Sequence, residues 1–152
     1  MTIKTINYTE LNDTVIKDIH FLDEQVFEKA LSIEKISREL STKHNISILI
    51  TYVGDEPAAY KVGFERSSRM YYSWIGGVSP VHRGKGLAKE LMNLQHDFAR
   101  KHNYRVVCTQ TDKRFKEMLI LNLKCGFDVV GTIQSTGDSH LTLVLEKNLE
   151  LQ

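Results

Sequence analysis

The sequence predicts a mixed α/β (α+β) fold: a mostly antiparallel central sheet of about seven strands flanked by about four helices, in a single domain over residues 1–152. Three observations lead there. Three strand-like segments follow one another between Ser47 and Val78 with only short turns between them, which argues for antiparallel pairing. The strand–helix–strand run from Met70 to Gln110 argues for one parallel pair with a right-handed crossover. A chain of 152 residues that is 41% apolar is long enough for one core and too apolar for a disordered chain.

Residues 2–8, TIKTINY, alternate apolar and polar and read as a first strand. Asn12 or Asp13 caps a helix to about Phe27, with Val15, Ile16, Ile19, Leu22 and Val26 on its apolar face. A second helix runs from Ile33 to Leu40, with Ile33, Ile36 and Leu40 on one side. SILITYV reads as a strand, GDEP as a turn, and AAYKVGFER and MYYSWIGGV as two further strands joined by a turn at RSSR.

A helix is expected from Gly86 to His102. Leu87, Leu91, Leu94 and Phe98 form its stripe, and Arg100, Lys101 and His102 stand at its C-terminal end, where cations suit the helix dipole. YRVVCTQ is a short apolar strand. RFKEMLILNLK is a helix stopped by Gly126, which is free to take the left-handed cap conformation. FDVVGTIQ and HLTLVLEK are the last two strands, with a turn around STGD.

The totals bound the function. Twenty basic residues against 19 acidic ones leave a net charge of +1, without the basic excess of a nucleic-acid binder. The longest apolar run, residues 46–53, falls short of the ~20 residues that span a membrane, and the first ten residues have no secretory core. Two cysteines, Cys108 and Cys125, make neither a disulfide framework nor a zinc site, so a cytoplasmic protein with reduced thiols and no metal is expected.

The chemistry concentrates in SPVHRGKGLA, between an apolar strand and an amphipathic helix. Gly84 and Gly86 flank Lys85, so backbone N–H groups there are open to close approach. The first N–H groups of the following helix are unpaired and carry partial positive charge, and Arg83 and Lys85 add full charges. Together these describe an anion site, most naturally for phosphate. It is not a Walker A loop, because Gly86 stands where Ser or Thr is required. It is not a dinucleotide fingerprint, because Lys89 stands where the third glycine belongs.

Arg83, Gly86 and Ala88 instead fit Arg/Gln-x-x-Gly-x-Gly/Ala, which resembles the pyrophosphate loop of the GNAT superfamily of acetyl-CoA-dependent N-acetyltransferases. EMLILNLKCGF resembles that family's later helix through Met118, Asn122, Gly126 and Phe127, and the order of elements fits along the chain. The resemblance implies an acetyl-CoA co-substrate whose pyrophosphate lies on Arg83, Gly84, Lys85, Gly86, Leu87 and Ala88, with Leu87 also facing the core. It implies a pantetheine arm along the backbone of Gly76, Gly77 and Val78, and a thioester carbonyl polarised by an N–H of Gly76 or Gly77. Gly76-Gly77 is either a bulge opening that gap or a weak strand end. Asn122 would lie near the sulfur or the pantetheine.

Acid–base groups do not carry over so directly. Asn122 stands where many members have a tyrosine, and an amide is no acid. Phe115 replaces a frequent asparagine, and around Tyr72 and Trp74, where family bases occur, there is no carboxylate or imidazole. Tyr72 is either an acid or pocket lining, Glu65 a base through water or a solvated strand end, and His82 a loop residue near phosphate. Cys108 reads as a small buried hydrophobe. The expected reaction is water-assisted direct attack by a primary amine of a small molecule or peptide, with thiolate leaving into solvent. A non-catalytic acyl-CoA-binding regulatory domain is the alternative, and small enzymes of this kind often form homodimers. The acceptor region is expected between Phe21 and Leu40 and at the Arg66–Arg69 turn.

Overall fold

The computed structural model describes residues 1–134 and 141–149; the expected STGD turn and His140 lie outside the described residues. The elements are β1 (Ile3–Tyr8), α1 (Asp13–Val26), α2 (Ile33–Ser41), β2 (Ser47–Val53), β3 (Glu56–Glu65), β4 (Met70–Val78), α3 (Leu87–Lys101), β5 (Val106–Asp112), α4 (Lys116–Lys124), β6 (Asp128–Gln134) and β7 (Leu141–Asn148). The strands form one sheet in the order β1-β2-β3-β4-β5-β7-β6. Among the described residues only β4 and β5 pair in parallel.

Local chemistry sets the helix starts. Asn12, not Asp13, caps α1, its Oδ1 accepting from the Val15 N–H at 2.9 Å. Ser32 caps α2 in the same way through the Lys35 N–H at 3.1 Å. The last helix begins two residues later than its sequence suggests. The Asp112 carboxylate accepts from the Arg114 N–H at 2.9 Å, and the Phe115 N–H reaches the Asp112 carbonyl at 3.0 Å. This Asx-type turn holds 112–115 out of the helix. Gly126 ends it with φ of 98°.

Pro57, expected in a turn, lies inside β3. The register shift at Thr51/Tyr52 leaves Ala58 as an extra residue there and admits a proline.

Two layers cover the sheet. On one face, α1 and α2 lay Ile19, Leu22, Ile36 and Leu40, all essentially inaccessible, against Ile48, Ile50, Tyr60 and Val62. Each such side chain contributes roughly 1.5–3 kcal/mol by burial. On the other face, Met92 and Ala99 of α3 pack with Tyr71, Val107, Phe127 and Leu145. The buried stripe of α3 is Leu87, Leu91, Met92, Gln95, His96 and Ala99. It is therefore rotated from the expected one, with Leu94 at its exposed margin.

Candidate active site

The parallel pair is short. β4 and β5 are in register only from Met70↔Val106 to Ser73↔Thr109. The Thr109 hydroxyl donates to the Ser73 carbonyl at 2.9 Å and marks the last tie. Beyond it β4 runs on to Val78 and β5 to Asp112 without pairing, so a gap opens between them.

A β-bulge sits at the apex of this gap. Val62 pairs with Ile75 and Gly63 with Ser73, which leaves Trp74 as the extra residue on β4. The bulge is therefore two residues before Gly76-Gly77, where the sequence reading allowed for it. It reverses the facing of β4. Tyr72 packs against the α1/α2 side and Tyr71 against the other. After Trp74, Ile75 joins the α1/α2 side, while Val78 packs against Leu87 and Leu91 of α3.

The two glycines are fixed by close approach and are not a weak strand end. A Cβ on Gly77 would come within 2.7 Å of Val26 Cγ1, and one on Gly76 within 2.8 Å of the Tyr60 carbonyl oxygen.

The loop leads from this gap into α3. Pro80–His82 make one 3-10 turn, and then Gly84 and Gly86 both adopt left-handed backbone, φ 80° and 78°. Nothing lies within 4 Å of a Cβ built on either, so the space above them is open. α3 has no side-chain cap, unlike α1 and α2. Its first helical bond runs from the Glu90 N–H to the Gly86 carbonyl at 3.1 Å, so the N–H groups of Leu87, Ala88 and Lys89 precede the helical ladder. Lys85 is exposed, Leu87 is buried and Ala88 is half-buried. Arg83 is oriented toward the gap, its Nε donating to the Val78 carbonyl at 3.0 Å. Both ring nitrogens of His82 lack a hydrogen-bond partner among the described residues.

A narrow cleft lies between β3 and β4 on one side and α3 and α4 on the other. Gly76 and Gly77, Ala88 and Met92 of α3, and Met118 and Leu121 of α4 line it, with Lys61 and Tyr60 on the β3 side. A larger hollow of about 560 Å³ lies at the far end of α3, between Leu40, His44 and His102. It contains no residue of the loop or the gap.

The other singled-out residues divide between the two faces. Tyr72 lies on the α1/α2 face, opposite Cys108, its ring 5.5 Å from that of Phe64 and 4.8 Å below the Arg66 guanidinium. Burial pushes its hydroxyl above the usual tyrosine range. Burial also raises the Cys108 thiol, against the lowering effect of Arg66. Asn122 lies on the opposite face, 3% exposed, its Nδ2 donating to the Thr111 hydroxyl at 3.4 Å. The structure therefore does not bring Tyr72 and Asn122 together. Glu65 accepts from the Tyr104 hydroxyl at 2.7 Å.

One residue and one pairing went unnoticed in the sequence. Asp23, 2% exposed near the end of α1, accepts from the Tyr60 hydroxyl and from the Leu31 N–H at 2.8 Å, tying the α1–α2 connection to β3. Phe27 and Phe115 meet edge to face at 5.6 Å, linking the end of α1 to the start of α4. Neither has a local signature, because each pair is made only by tertiary folding. Among the described residues, no group of three or more His, Cys, Asp or Glu is placed to hold a metal, and no helix is long and apolar enough to cross a membrane.

A family model described as the acetyltransferase (GNAT) family matches residues 14–127. A comparison with curated proteins finds no match. Among solved structures, the chain is similar to the ribosomal-protein-S18-alanine N-acetyltransferase from Escherichia coli, with a TM-score of 0.83 at 10% identity over 98% of this chain and 96% of that one. It is similar to Ard1 from Thermoplasma volcanium, with a TM-score of 0.80 at 16% identity over 95% of this chain and 97% of that one. It also resembles Arabidopsis thaliana Naa50 in complex with the bisubstrate analogue CoA-Ac-MVNAL, with a TM-score of 0.77 at 15% identity over 97% and 99%. At these identities the likeness establishes a shared fold.

Proposed function

The chain belongs to the acetyltransferase (GNAT) family, and from that premise we propose that it moves an acetyl group from acetyl-CoA to a primary amine of a small molecule or peptide by direct attack. One observation carries the reading. Two parallel strands separate after four paired residues, and the wider end of their gap leads to an uncapped helix N-terminus with two left-handed glycines.

In this reading the pyrophosphate lies on the backbone N–H groups from Gly84 to Ala88, with Arg83 and Lys85 supplying charge. The pantetheine arm follows Gly76, Gly77 and Val78 into the gap. A backbone N–H at Gly76 or Gly77 polarises the thioester carbonyl, a contribution worth on the order of 3 kcal/mol in oxyanion sites. The Val78 carbonyl is already engaged by Arg83, so the arm depends on the remaining backbone groups there. Asn122 positions α4 against β5 beside the arm. Tyr72, with Phe64 and Trp74, lines the side from which the amine arrives.

The Naa50 structure is that of a complex with a CoA–peptide bisubstrate analogue, which supports a peptide or similar amine as acceptor. Free-thiol release from acetyl-CoA across a panel of small amines and peptides tests the proposal. Amine-dependent release is expected; tight coenzyme A binding without turnover on any amine would instead favour a regulatory binding domain.

A further inference from the structure

We infer that Lys61, whose side chain lines the cleft beside Gly76, receives the departing thiolate, its ammonium being the counter-charge and proton donor for the coenzyme A sulfur. This rests on the reading above, in which the pantetheine arm of acetyl-CoA runs along Gly76 and Gly77, two of the residues that line this cleft. Neither of the two acid candidates fills this role. Asn122 cannot donate a proton as an acid, and Tyr72 is on the other face of the sheet.

Lys61 pairs with Gly76 in the β3–β4 ladder, and its side chain leaves the strand alongside that glycine, Cγ lying 3.5 Å from a Cβ built there. It lines the cleft with Ala88, Met92, Met118 and Leu121. Among the described residues it makes no ion pair or hydrogen bond through its ammonium. Cys125, just past α4, acts on it electrostatically, and Lys147, Lys61 and Arg100 all act on His96 of α3. Lys61 is half-buried, and an ammonium drawn out of water without a counter-ion is costly. Here that cost is relieved by an anion that forms during the reaction and leaves with the product.

The chemistry is matched as well as placed. Burial pushes Lys61 down to about 8, with Cys125 opposing the shift, close to an ordinary thiol near 8.5. Proton transfer between groups of similar acidity is the favourable case for general acid catalysis. The step balances. The amine nitrogen forms the C–N bond and the C–S bond breaks with its electron pair on sulfur. Lys61 Nζ gives a proton to that sulfur, the amine's surplus proton passes to water, and solvent reprotonates Lys61.

Two variants and a spectroscopic titration test this. Lys61→Met removes the charge at similar volume. Lys61→Arg keeps the charge but holds its proton too tightly to donate. Ultraviolet absorbance of the thiolate in bound coenzyme A should show the thiol titrating lower on the wild type and on Lys61→Arg than on Lys61→Met. Turnover should fall about 100-fold or more in both variants, and the alkaline limb near pH 8 in the wild-type profile should disappear. Unchanged turnover and an unchanged thiol titration in Lys61→Met, with coenzyme A still bound, would overturn this inference alone. Failure of the wild type to bind coenzyme A would overturn the parent reading with it.

Discussion

Val26 of α1 lies directly over Gly77 of β4, its Cγ1 only 2.7 Å from where a Cβ on that glycine would sit. This contact seals one side of the strand that borders the gap. It also keeps the end of α1, and with it Phe27, against the site.

Gly77→Ala should therefore destabilise the protein by about 1–3 kcal/mol, the usual cost of overpacking. Adding Val26→Ala in the same chain should recover part of the loss by making room for the methyl. Urea unfolding of the single and double variants measures this. Equal midpoints for Gly77→Ala and the wild type would show that the two elements separate easily.

Asn122→Ala should lower turnover only modestly and cost about 1 kcal/mol of stability, since it removes one buried bond to Thr111. Steady-state rates set beside unfolding midpoints check both. Complete loss of turnover with stability retained would assign Asn122 a direct part in the chemistry.

Acid should unfold the protein through His96. Burial, reinforced by Lys147, Lys61 and Arg100, pushes this imidazole down to about 3, against about 6.5 in an unfolded chain. The folded state thus stays neutral while the unfolded state takes up a proton. Stability is full above about pH 6.5 and is lost as pH falls towards 3, by at most about 1.4 kcal/mol per pH unit. His96→Leu should flatten that slope in urea titrations between pH 7 and pH 4; a parallel slope would place the acid sensitivity elsewhere.

The order of elements was legible because each strand and helix carries its own period and its own stops, such as the Asn12 cap and the Gly126 turn. The glycine loop before α3 was legible because Gly84 and Gly86 are local requirements of backbone geometry. What escaped depends on neighbours distant in sequence. The bulge at Trp74 was hidden because β4 is apolar on both faces, so an inserted residue leaves no break in the pattern. Lys61 carried no signal of its own inside its strand, because the α3 and α4 residues that share its cleft are distant in sequence. Gln95 and His96, polar residues on the buried side of α3, displaced the expected stripe for the same reason. The late start of α4 turned on one side chain, Asp112, binding its own downstream backbone.

The proposal that the α3 N-terminus grips a diphosphate is tested most directly by calorimetric titration of coenzyme A into the wild type and Gly86→Glu. The glutamate has open space, so the fold should survive with a left-handed strain of about 1–2 kcal/mol, while its carboxylate occupies the anion's place. Coenzyme A should bind the wild type and lose at least about ten-fold in affinity, or 1.4 kcal/mol, in the folded variant. Equal affinity for both would contradict the assignment of this loop.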